Sequence, residues 1–430
     1  MTFNSKKAKL IPLILFLLAL TVRVSFAIYA KDVPPCRDDC AHYSEVAKNL
    51  VAGKGHVAYD QNRGKLQSFF PPLYPSFLAL IYALFGEGYL PVQVVQMVMS
   101  SMICVFIYFI GRQVTSPTVA IISSLVTAIY PTLVAYSRVI MTETLFSFLL
   151  ALWVLFVVAN DERLTAIRNQ AISGFLLGLM TLTRGVTLLL PLFVPLWGFF
   201  RWKNRKIAFS LCLTVLFYAL TLAPWTIRNY AIHHRFVPVA TEGGELLWTF
   251  KVKLKGFVGK TDYDTYLPPD WYDVPEAEWS NLAARETLKV FLQHPARFVK
   301  NSLIGSLALF RPFTSTVAKY DFCFGILFPL FFLGSVLFFR RQDRTSILNL
   351  IILYPWLMAI LTYGQPRFRV PFLPYYIFFA VFGIVFLFRN NIKLALLVIA
   401  SVVGANLLVV AFFPQIYAFV EGPFKSFLLR

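Results

Sequence analysis

A short polar run, residues 37–45 (RDDCAHYSE), holds two aspartates, a histidine, a tyrosine and a glutamate. It follows directly on the first apolar stretch, residues 10–30, in a chain of which only 14% is charged. A carboxylate can take a proton from an attacking hydroxyl, and an imidazole or a phenol can hydrogen-bond the reacting groups. Charged side chains beside a hydrocarbon layer are costly unless they are solvated or functional. We therefore expect the chemistry of this chain at residues 37–45.

The elements that position this run are strongly apolar. Hydrophobic residues make up 58% of the 430 positions, whereas soluble domains have about 45–50%. Apolar runs of about 17–25 residues, long enough to cross a bilayer, recur along the whole sequence. Alternating segments of about ten residues, which a transmembrane β-barrel would show, are absent. The composition predicts an all-α polytopic membrane protein.

The net charge of +19 does not indicate a nucleic-acid partner, because the basic residues cluster between the apolar runs. Such clusters are typical of cytoplasmic loops, so the excess charge reflects topology. The clusters lie at Lys6–Lys9, Arg201–Lys206 and Arg340–Arg344.

The basic N-terminus is therefore predicted to lie inside the cell, with the first apolar stretch kept as an anchor because it is too long for a signal-peptide core. About eleven transmembrane spans and an extracytoplasmic C-terminus result, and the loops with mixed polar residues all fall outside. The spans are 10–30, 90–110, 117–136, 142–159, 170–183, 186–200, 207–226, 322–339, 346–363, 371–388 and 393–413.

Three parts follow from this threading. An N-terminal transmembrane module, 1–226, carries the first outside loop, 31–88. An extracytoplasmic loop, 227–321, has a helix predicted from Pro275 to Gln293 and an interfacial or re-entrant helix at 296–313. A C-terminal transmembrane module, 322–430, completes the chain.

The first outside loop is predicted to contain two short helices. One runs from Cys40 to Ala52 with Asp39 at its N-cap, and the other from about Ser76 to Phe85. Two interfacial helices suggest a platform on the membrane surface, although a loop that merely packs on the bundle has the same pattern. Asp39 is then either a solvated capping residue or a functional carboxylate.

The five cysteines say less about function. Cys36 and Cys40 lie together in the first outside loop, where a disulfide is compatible with an oxidising compartment but is not required. Their pairing stays open. The other three, Cys104, Cys212 and Cys323, lie in apolar stretches and are interpreted as packing residues.

Further polar residues lie at the predicted outer ends of later spans. Glu143 begins the fourth span, where it is either a partner in a polar site or a helix cap with Thr142. Three outside turns carry arginine, which the charge bias of membrane loops does not explain. A guanidinium fork suits phosphate, and the alternative for each arginine is contact with a lipid headgroup. These arginines are Arg184, Arg228, Arg367 and Arg369.

Taken together, these motifs resemble the bacterial branch of the GT-C glycosyltransferases, which comprises protein mannosyltransferase-like and aminoarabinose transferase-like enzymes (glycosyltransferase families 39 and 83). The resemblance covers about residues 10–375. In the family's order, the motifs are Asp39-x-x-x-Tyr43-x-x-x-Ala47-x-x-Leu50-x-x-Gly53-x-Gly55, Pro71-Pro72-Leu73-Tyr74-Pro75, Tyr136-Ser137-Arg138 leading to Thr142-Glu143, Thr183-Arg184, Pro224-Trp225-Thr226-Ile227-Arg228-Asn229-Tyr230 with Phe236-Val237-Pro238, and Arg367-Phe368-Arg369-x-Pro371.

The resemblance implies an inner-membrane enzyme that transfers a sugar from a polyprenyl-phosphate donor, with inversion, on the extracytoplasmic face. The acceptor is a protein, a lipid or a glycan, and membrane lipid is the other partner. Asp39 matches the family's general base, and Glu143 matches its second acidic residue, which orients the acceptor or assists electrostatically. The residues assigned to substrate binding are His42, Tyr43, Tyr74, Arg138, Arg184, Arg228, Arg367 and Arg369.

One departure concerns the residues before the Pro-Pro pair. Aminoarabinose transferases have Glu-Lys there, with the lysine on the lipid phosphate, whereas this chain has Phe69-Phe70. Aminoarabinose specificity is therefore not expected, and the phosphate contact must come from elsewhere. No cofactor is firmly implied, and a divalent metal on Asp38, Asp39 and His42 would follow no known ligand spacing.

A function of another class fits the same topology. A lipid-linked-sugar flippase or transporter would need no glycosidic chemistry, but it would need charged groups near the middle of the bilayer. Apart from Arg23, the predicted spans are almost free of charge, and this weighs against transport.

Overall fold

The structure, a computed structural model, describes residues 5–36, 39–60, 64–204, 209, 211–248, 274–314, 319–341 and 346–412. In this part of the chain the fold is helical, with two short antiparallel hairpins. The helices are α1 (Ser5–Tyr29), α2 (Cys40–Val51), α3 (Leu73–Phe85), α4 (Tyr89–Val114), α5 (Pro117–Ile129), α6 (Pro131–Tyr136), α7 (Thr142–Ala159), α8 (Ile167–Thr183), α9 (Leu190–Trp202), α10 (Cys212–His233), α11 (Glu242–Leu247), α12 (Glu276–Gln293), α13 (Pro295–Ser306), α14 (Phe322–Arg341), α15 (Ile347–Leu361), α16 (Leu373–Asn390) and α17 (Ile392–Ala411).

Short 3₁₀ segments connect some of these helices, and each hairpin has two strands. The 3₁₀ segments are Asp161–Arg163, Gly185–Thr187, Leu307–Phe310 and Pro366–Phe372. The strands are β1 (Ala58–Asp60) with β2 (Gly64–Leu66), and β3 (Phe313–Thr314) with β4 (Lys319–Tyr320).

Seven helices of the described residues are long and apolar enough to cross a membrane. They are Leu10–Tyr29, Tyr89–Val114, Thr142–Ala159, Gly185–Trp202, Phe322–Arg340, Pro366–Asn390 and Ile392–Ala411. The other four predicted spans coincide with α5, α8, α10 and α15, of which α5 and α15 are shorter apolar helices. The predicted all-α polytopic membrane protein is confirmed, whereas the number of eleven spans stays a prediction.

The predicted span 117–136 is not one continuous helix. Helix α5 ends at Ile129, and α6 begins at Pro131. Proline drives the preceding residue away from helical torsions, and Tyr130 has the extended values φ −65° and ψ 118°. The chain therefore turns at this point and leads towards the start of α7.

The bundle has a buried centre and lipid-accessible edges. In the candidate span that contains α16, 83% of the positions are buried inside the protein, compared with 17% for α1 and 11% for α17. Helices α14 and α16 pack closely where Gly334 faces Phe379, since a Cβ added at Gly334 would lie 1.8 Å from the Phe379 carbonyl oxygen. Small residues at helix contacts allow this approach in membranes.

The one charge that we noted inside a predicted span is fully engaged. Arg23 of α1 is 1% exposed, and its Nε donates to Ser100 Oγ at 2.8 Å. Its Nη1 donates to the carbonyl oxygens of Ala19 and Ala128, both at 3.0 Å. Arg23 thus joins α1 to α4 and α5, which is a packing role.

The two platform helices predicted in the first outside loop are present and pack on each other, whereas their position on the membrane surface stays a prediction. Tyr43 of α2 contacts Tyr74 of α3 edge-to-face, with ring centroids 5.2 Å apart, and Ser44 and Tyr82 share a hydrogen bond of 2.7 Å. Helix α2 ends at Val51, one residue before the predicted Ala52, and Gly53 after it takes a positive φ of 71° that suits glycine.

The loop after α10 also contains the predicted helices. The helix expected from Pro275 to Gln293 is α12, and the segment expected at 296–313 is α13 with the 3₁₀ segment Leu307–Phe310. Trp356 of α15 donates to Ser306 Oγ at 3.0 Å, so α13 is fastened to the bundle. The run Leu267-Pro268-Pro269-Asp270, whose prolines predict a turn, lies outside the described residues.

Candidate active site

A cavity of about 600 Å³ lies where the platform helix α2, the start of α7, the turn at Arg184, the short helix α11 and the 3₁₀ segment Pro366–Phe372 converge. Its wall has a polar part and an apolar part. Asp39, Arg184, Glu242, Glu245 and Arg367 supply charged side chains. The apolar part includes Phe146, Val186, Leu188, Leu309, Pro355, Met358 and Phe372.

Asp39 reaches this cavity from the position just before α2. Its side chain is 38% exposed, and Oδ2 accepts hydrogen bonds from Nη1 and Nη2 of Arg367, both at 3.1 Å. Asp39 occupies the N-cap position of α2 but makes no side-chain cap hydrogen bond. The capping alternative is therefore not what the structure shows, because the carboxylate binds the guanidinium instead of the backbone.

A disulfide and a backbone contact hold the segment that carries Asp39. Cys36 and Cys40 are bonded, with their Cα atoms 5.3 Å apart. The backbone N–H of Ile140 donates to the Pro35 carbonyl at 2.9 Å. The pairing that the sequence left open is thus present, and it connects α2 to the segment before α7.

Glu143 lies behind the arginines and not on the cavity wall. It is fully buried, and its Oε1 accepts from Nε of Arg367 at 2.5 Å and from Nη1 of Arg184 at 2.8 Å. No side-chain cap hydrogen bond occurs at the start of α7. Glu143 therefore fixes two guanidinium groups beside the cavity.

Together, Asp39, Glu143, Arg184 and Arg367 balance two negative charges with two positive ones. All donor nitrogens of Arg367 bind the two carboxylates. Arg184 uses only Nη1 in its described polar contacts, to Glu143 and to Thr142 Oγ1 at 3.2 Å. Arg184 consequently has donors left that could meet an anion in the cavity.

Comparison with known proteins identifies the fold. The family model of dolichyl-phosphate-mannose-protein mannosyltransferases matches residues 70–227. The oligosaccharyltransferase of Archaeoglobus fulgidus, solved with a tethered acceptor peptide, superimposes with a TM-score of 0.57 at 13% identity, over 95% of this chain and 54% of that one. AglB from the same organism was solved with an inhibitory peptide and a dolichol-phosphate. It superimposes with a TM-score of 0.58 at 14% identity, over 97% of this chain and 55% of that one. The chain has the GT-C fold.

The resemblance to the GT-C glycosyltransferases that the motifs suggested is thereby confirmed. The chain spans about half the length of the archaeal oligosaccharyltransferase chains. ArnT from Cupriavidus metallidurans, solved with undecaprenyl phosphate, also matches, with a TM-score of 0.43 at 12% identity over 96% of this chain and 80% of that one. A search of curated proteins finds no match.

Two further predicted residues line the cavity. His42 and Tyr43 both face it from α2. The Nε2 atom of His42 is buried and has no hydrogen-bond partner within the described chain. Burial, followed by the charge of Asp39, raises the pKa of the Tyr43 phenol well above its usual value, so Tyr43 stays neutral.

Four predicted substrate-binding residues do not line the cavity, because each is engaged in a structural contact. Tyr74 is fully buried and donates to Gln96 Oε1 at 2.9 Å, and Arg138 donates to the Lys31 carbonyl at 3.3 Å. The remaining contacts are those of Arg228 with the Gln67 carbonyl at 2.8 Å, Ser68 Oγ at 2.9 Å and the Trp225 ring at 4.4 Å, and of Arg369 with Asp321 at 3.1 Å and the Leu309 and Arg311 carbonyls.

The donor set does not favour a metal site on Asp39 and His42. Within the described chain, no group of three His, Cys, Asp or Glu side chains lies close enough to hold a metal ion. The guanidinium of Arg367 lies between the carboxylates of Asp39 and Glu143, where a bridging cation would otherwise be needed. The third candidate ligand, Asp38, lies outside the described residues.

The sequence interpretation missed two acidic residues of the cavity, Glu242 and Glu245. Glu242 begins α11, and burial and then the charge of Asp39 raise its pKa to about 7. The run Thr241-Glu242-Gly243-Gly244-Glu245 matched no ligand or catalytic spacing. The only signal of Glu242 was a pair of carboxylates around two glycines in a polar loop that was predicted to lie outside.

Proposed function

We propose that this chain is an inverting glycosyltransferase that moves a hexosyl or pentosyl group from a polyprenyl-phosphate donor to an acceptor on the extracytoplasmic face. The observation that carries the proposal is the position of Asp39. Its carboxylate is partly exposed at the cavity, next to two arginines that a buried glutamate holds in place. This arrangement pairs a base with cations, which the displacement of a phosphate requires.

The reaction is a single displacement at the anomeric carbon. Asp39 takes the proton of the acceptor hydroxyl as the oxygen forms a bond to C1 from the face opposite the phosphate. The bond from C1 to the phosphate oxygen breaks at the same time, and the lipid phosphate leaves with the electron pair. Asp39, which is open to solvent, then loses its proton to water.

The arginines have distinct parts in this proposal. The Arg367 fork holds the Asp39 carboxylate in one orientation, which reduces the entropy lost on reaching the transition state. Arg184, with donors left over, stabilises the negative charge that grows on the departing phosphate. Glu143 acts through both of them as a positioning residue, since it is buried and does not line the cavity.

The apolar wall of the cavity suits the first isoprene units of the donor. Phe146, Val186, Leu188 and Met358 present hydrocarbon next to the charged groups. A protein of the same fold was solved with a dolichol-phosphate, and this supports a lipid-phosphate ligand here. Polar phosphate and apolar chain would then each meet a matching surface.

Transfer and its stereochemistry test the proposal. The purified protein in nanodiscs would be given a panel of decaprenyl-phosphate sugars and membranes from a strain that lacks the gene. NMR of the product should show a new glycosidic bond with the anomeric configuration opposite to that of the donor. Retention of configuration, or movement of unmodified lipid across vesicles without a new bond, would contradict the proposal; the second result would favour a transporter.

A further inference from the structure

Two segments that are far apart in the sequence meet on the cavity wall beside Asp39. The backbone N–H of Glu242 donates to the Phe69 carbonyl at 3.3 Å, and that of Thr241 donates to the Ser68 carbonyl at 2.9 Å. Glu242, Phe69 and the next residue, Phe70, all line the cavity. The start of α11 is thus joined directly to the turn between β2 and α3.

A second glutamate locks this junction from outside the cavity. Glu276, the first residue of α12, accepts from the backbone N–H of Gln67 at 2.7 Å and of Ser68 at 3.0 Å. It also accepts from Thr241 Oγ1 at 2.6 Å. Hydrogen bonds to a carboxylate are stronger than neutral ones, so the backbone that carries Glu242 is firmly placed.

The carboxylate of Glu242 has no hydrogen bond or ion pair to any described residue. The two cavity arginines bind Glu143 and Asp39 instead. A carboxylate that has no partner is costly in a partly buried site, even when the backbone that carries it is firmly placed. Its oxygens offer up to four acceptor positions to a ligand that donates hydrogen bonds.

The aromatic side chains beside Glu242 suit a ligand that has an apolar face as well as hydrogen-bonding groups. The rings of Phe69 and Phe70 are perpendicular, with centroids 4.8 Å apart, and the His42 ring lies 5.7 Å from Phe70. Aromatic faces pack against apolar C–H groups, and the unpartnered Nε2 of His42 can hydrogen-bond an oxygen. A pyranose ring has an apolar C–H face and an edge of hydroxyl groups.

We propose that Glu242, Phe69 and Phe70 form the subsite for a sugar ring, with the Glu242 carboxylate accepting hydrogen bonds from two of its hydroxyls. The subsite rests on the proposed function, because the ring is either the sugar of the donor or a sugar unit of the acceptor. Glu242 then determines which sugar is accepted, through the positions of the hydroxyls that it can reach.

A binding experiment separates the sugar from its lipid. Decaprenyl-phosphate mannose, glucose and galactose would be compared with decaprenyl methyl phosphate, which has the same lipid and the same phosphodiester charge but no sugar. If the subsite takes the donor sugar, one sugar lipid binds the wild type more tightly than the methyl ester. That preference should fall roughly tenfold in Glu242→Gln, since a charged acceptor makes the stronger hydrogen bond.

The matched control is Glu278→Gln, which removes a carboxylate from α12 at a surface pair with Arg235, 3.3 Å away and outside the cavity. It should keep the preference of the wild type. If Glu242→Gln leaves donor binding unchanged but raises the KM for a glycan acceptor about tenfold, the ring is that of the acceptor. Unchanged donor binding together with unchanged acceptor KM would overturn the proposal.

A glycine pair tests whether the position of Glu242 matters, without altering its charge. A Cβ at Gly244 would lie 1.9 Å from the Ser280 carbonyl oxygen, whereas a Cβ at Gly243 would meet nothing within 4 Å. Gly244→Ala should therefore push α11 off α12 and reduce the sugar preference, and Gly243→Ala should reduce it much less. Equal effects would contradict the subsite. Binding and transfer can also give separate answers. If Glu242→Gln loses the sugar preference but the wild type transfers no sugar, the subsite is supported and the proposed reaction is contradicted.

Discussion

The individual charges of the site are ordered around Arg367. Its guanidinium bridges the exposed carboxylate of Asp39 and the buried carboxylate of Glu143, and Glu143 also binds Arg184. A planar fork with several donors can serve two carboxylates at once, whereas a lysine ammonium presents a point charge. Asp39 therefore faces the cavity whereas Glu143 positions the two arginines, although the sequence marked both carboxylates as catalytic.

Removing the buried charge should destabilise the protein. Glu143→Gln leaves Arg184 and Arg367 without their shared carboxylate, which costs about 3–5 kcal/mol when a buried pair is broken. Thermal unfolding in detergent would measure the loss. The surface change Glu278→Gln should cost at most about 1 kcal/mol, and a Glu143→Gln variant as stable as that control would contradict the assignment.

Glu242 should make stability depend on pH. Its pKa is raised to about 7 in the folded protein by burial and by Asp39, so the folded state binds a proton more tightly than the unfolded state does. The contribution of Glu242 to the free energy of unfolding is therefore most favourable at low pH, where the carboxyl is protonated. This contribution is lost as the pH rises through the folded-state pKa of about 7. Glu242→Gln should therefore stabilise the protein by about 1–3 kcal/mol at pH 8 and by less at pH 5. An equal change at both values, measured by thermal unfolding, would refute the shifted pKa.

Individual helices, together with one disulfide, hold the charged residues of the site in place. Helix α2 presents Asp39, His42 and Tyr43, and the disulfide between Cys36 and Cys40 closes the segment directly in front of it. The break at Pro131 redirects the chain between α5 and α6 towards the start of α7, which carries Glu143. Each support lies at a helix end, where side chains from several elements can meet.

The disulfide should stabilise the platform by a moderate amount. It closes a loop of only five residues, for which the chain-entropy model gives about 2 kcal/mol. Cys36→Ser should therefore lower the melting temperature, and dithiothreitol should lower that of the wild type but not that of the variant. Cys212→Ser is the control, because Cys212 is a free cysteine that is exposed and not, as predicted, a packing residue. Insensitivity of the wild type to dithiothreitol would show that the bond contributes nothing.

The sequence predicted the short helices α2 and α12 well, because local signals define them. The helix from Cys40 ends at Val51, one residue from the prediction, since Gly53 stops it, and α12 begins within one residue of the predicted Pro275. Helix α3 begins at Leu73, three residues before the predicted Ser76. The partners of the arginines could not be predicted. Arg228 and Arg369 lie in predicted outside turns, as Arg184 and Arg367 do. Only tertiary contacts show that Arg228 binds the Gln67 carbonyl and that Arg369 binds Asp321.

At the scale of the whole molecule, the predicted membrane topology is consistent with the observed clustering of the charged residues. The positive-inside rule placed Asp39, Glu143, Arg184 and Arg367 on one side of the membrane, although they come from four different loops. The structure brings these four side chains together at one end of the bundle. Glu242 escaped prediction because its spacing carries no motif, and its importance comes only from the segments that meet it.

Sidedness can be measured directly. A single cysteine at Lys54, after α2, should react with a membrane-impermeant maleimide in intact cells, because it lies on the predicted outer face. A cysteine at Glu162, in the short loop between α7 and α8, should react only after the membrane is opened. The reverse pattern would contradict an extracytoplasmic site.

The central claim is that Asp39 is the base of a glycosyl transfer, and single-turnover transfer by Asp39→Asn tests it most directly. The amide keeps the shape of the side chain but cannot take a proton, so the rate should fall by about 10²–10⁴-fold. Donor binding and the melting temperature should change little. A transfer rate in Asp39→Asn close to that of the wild type would contradict the account.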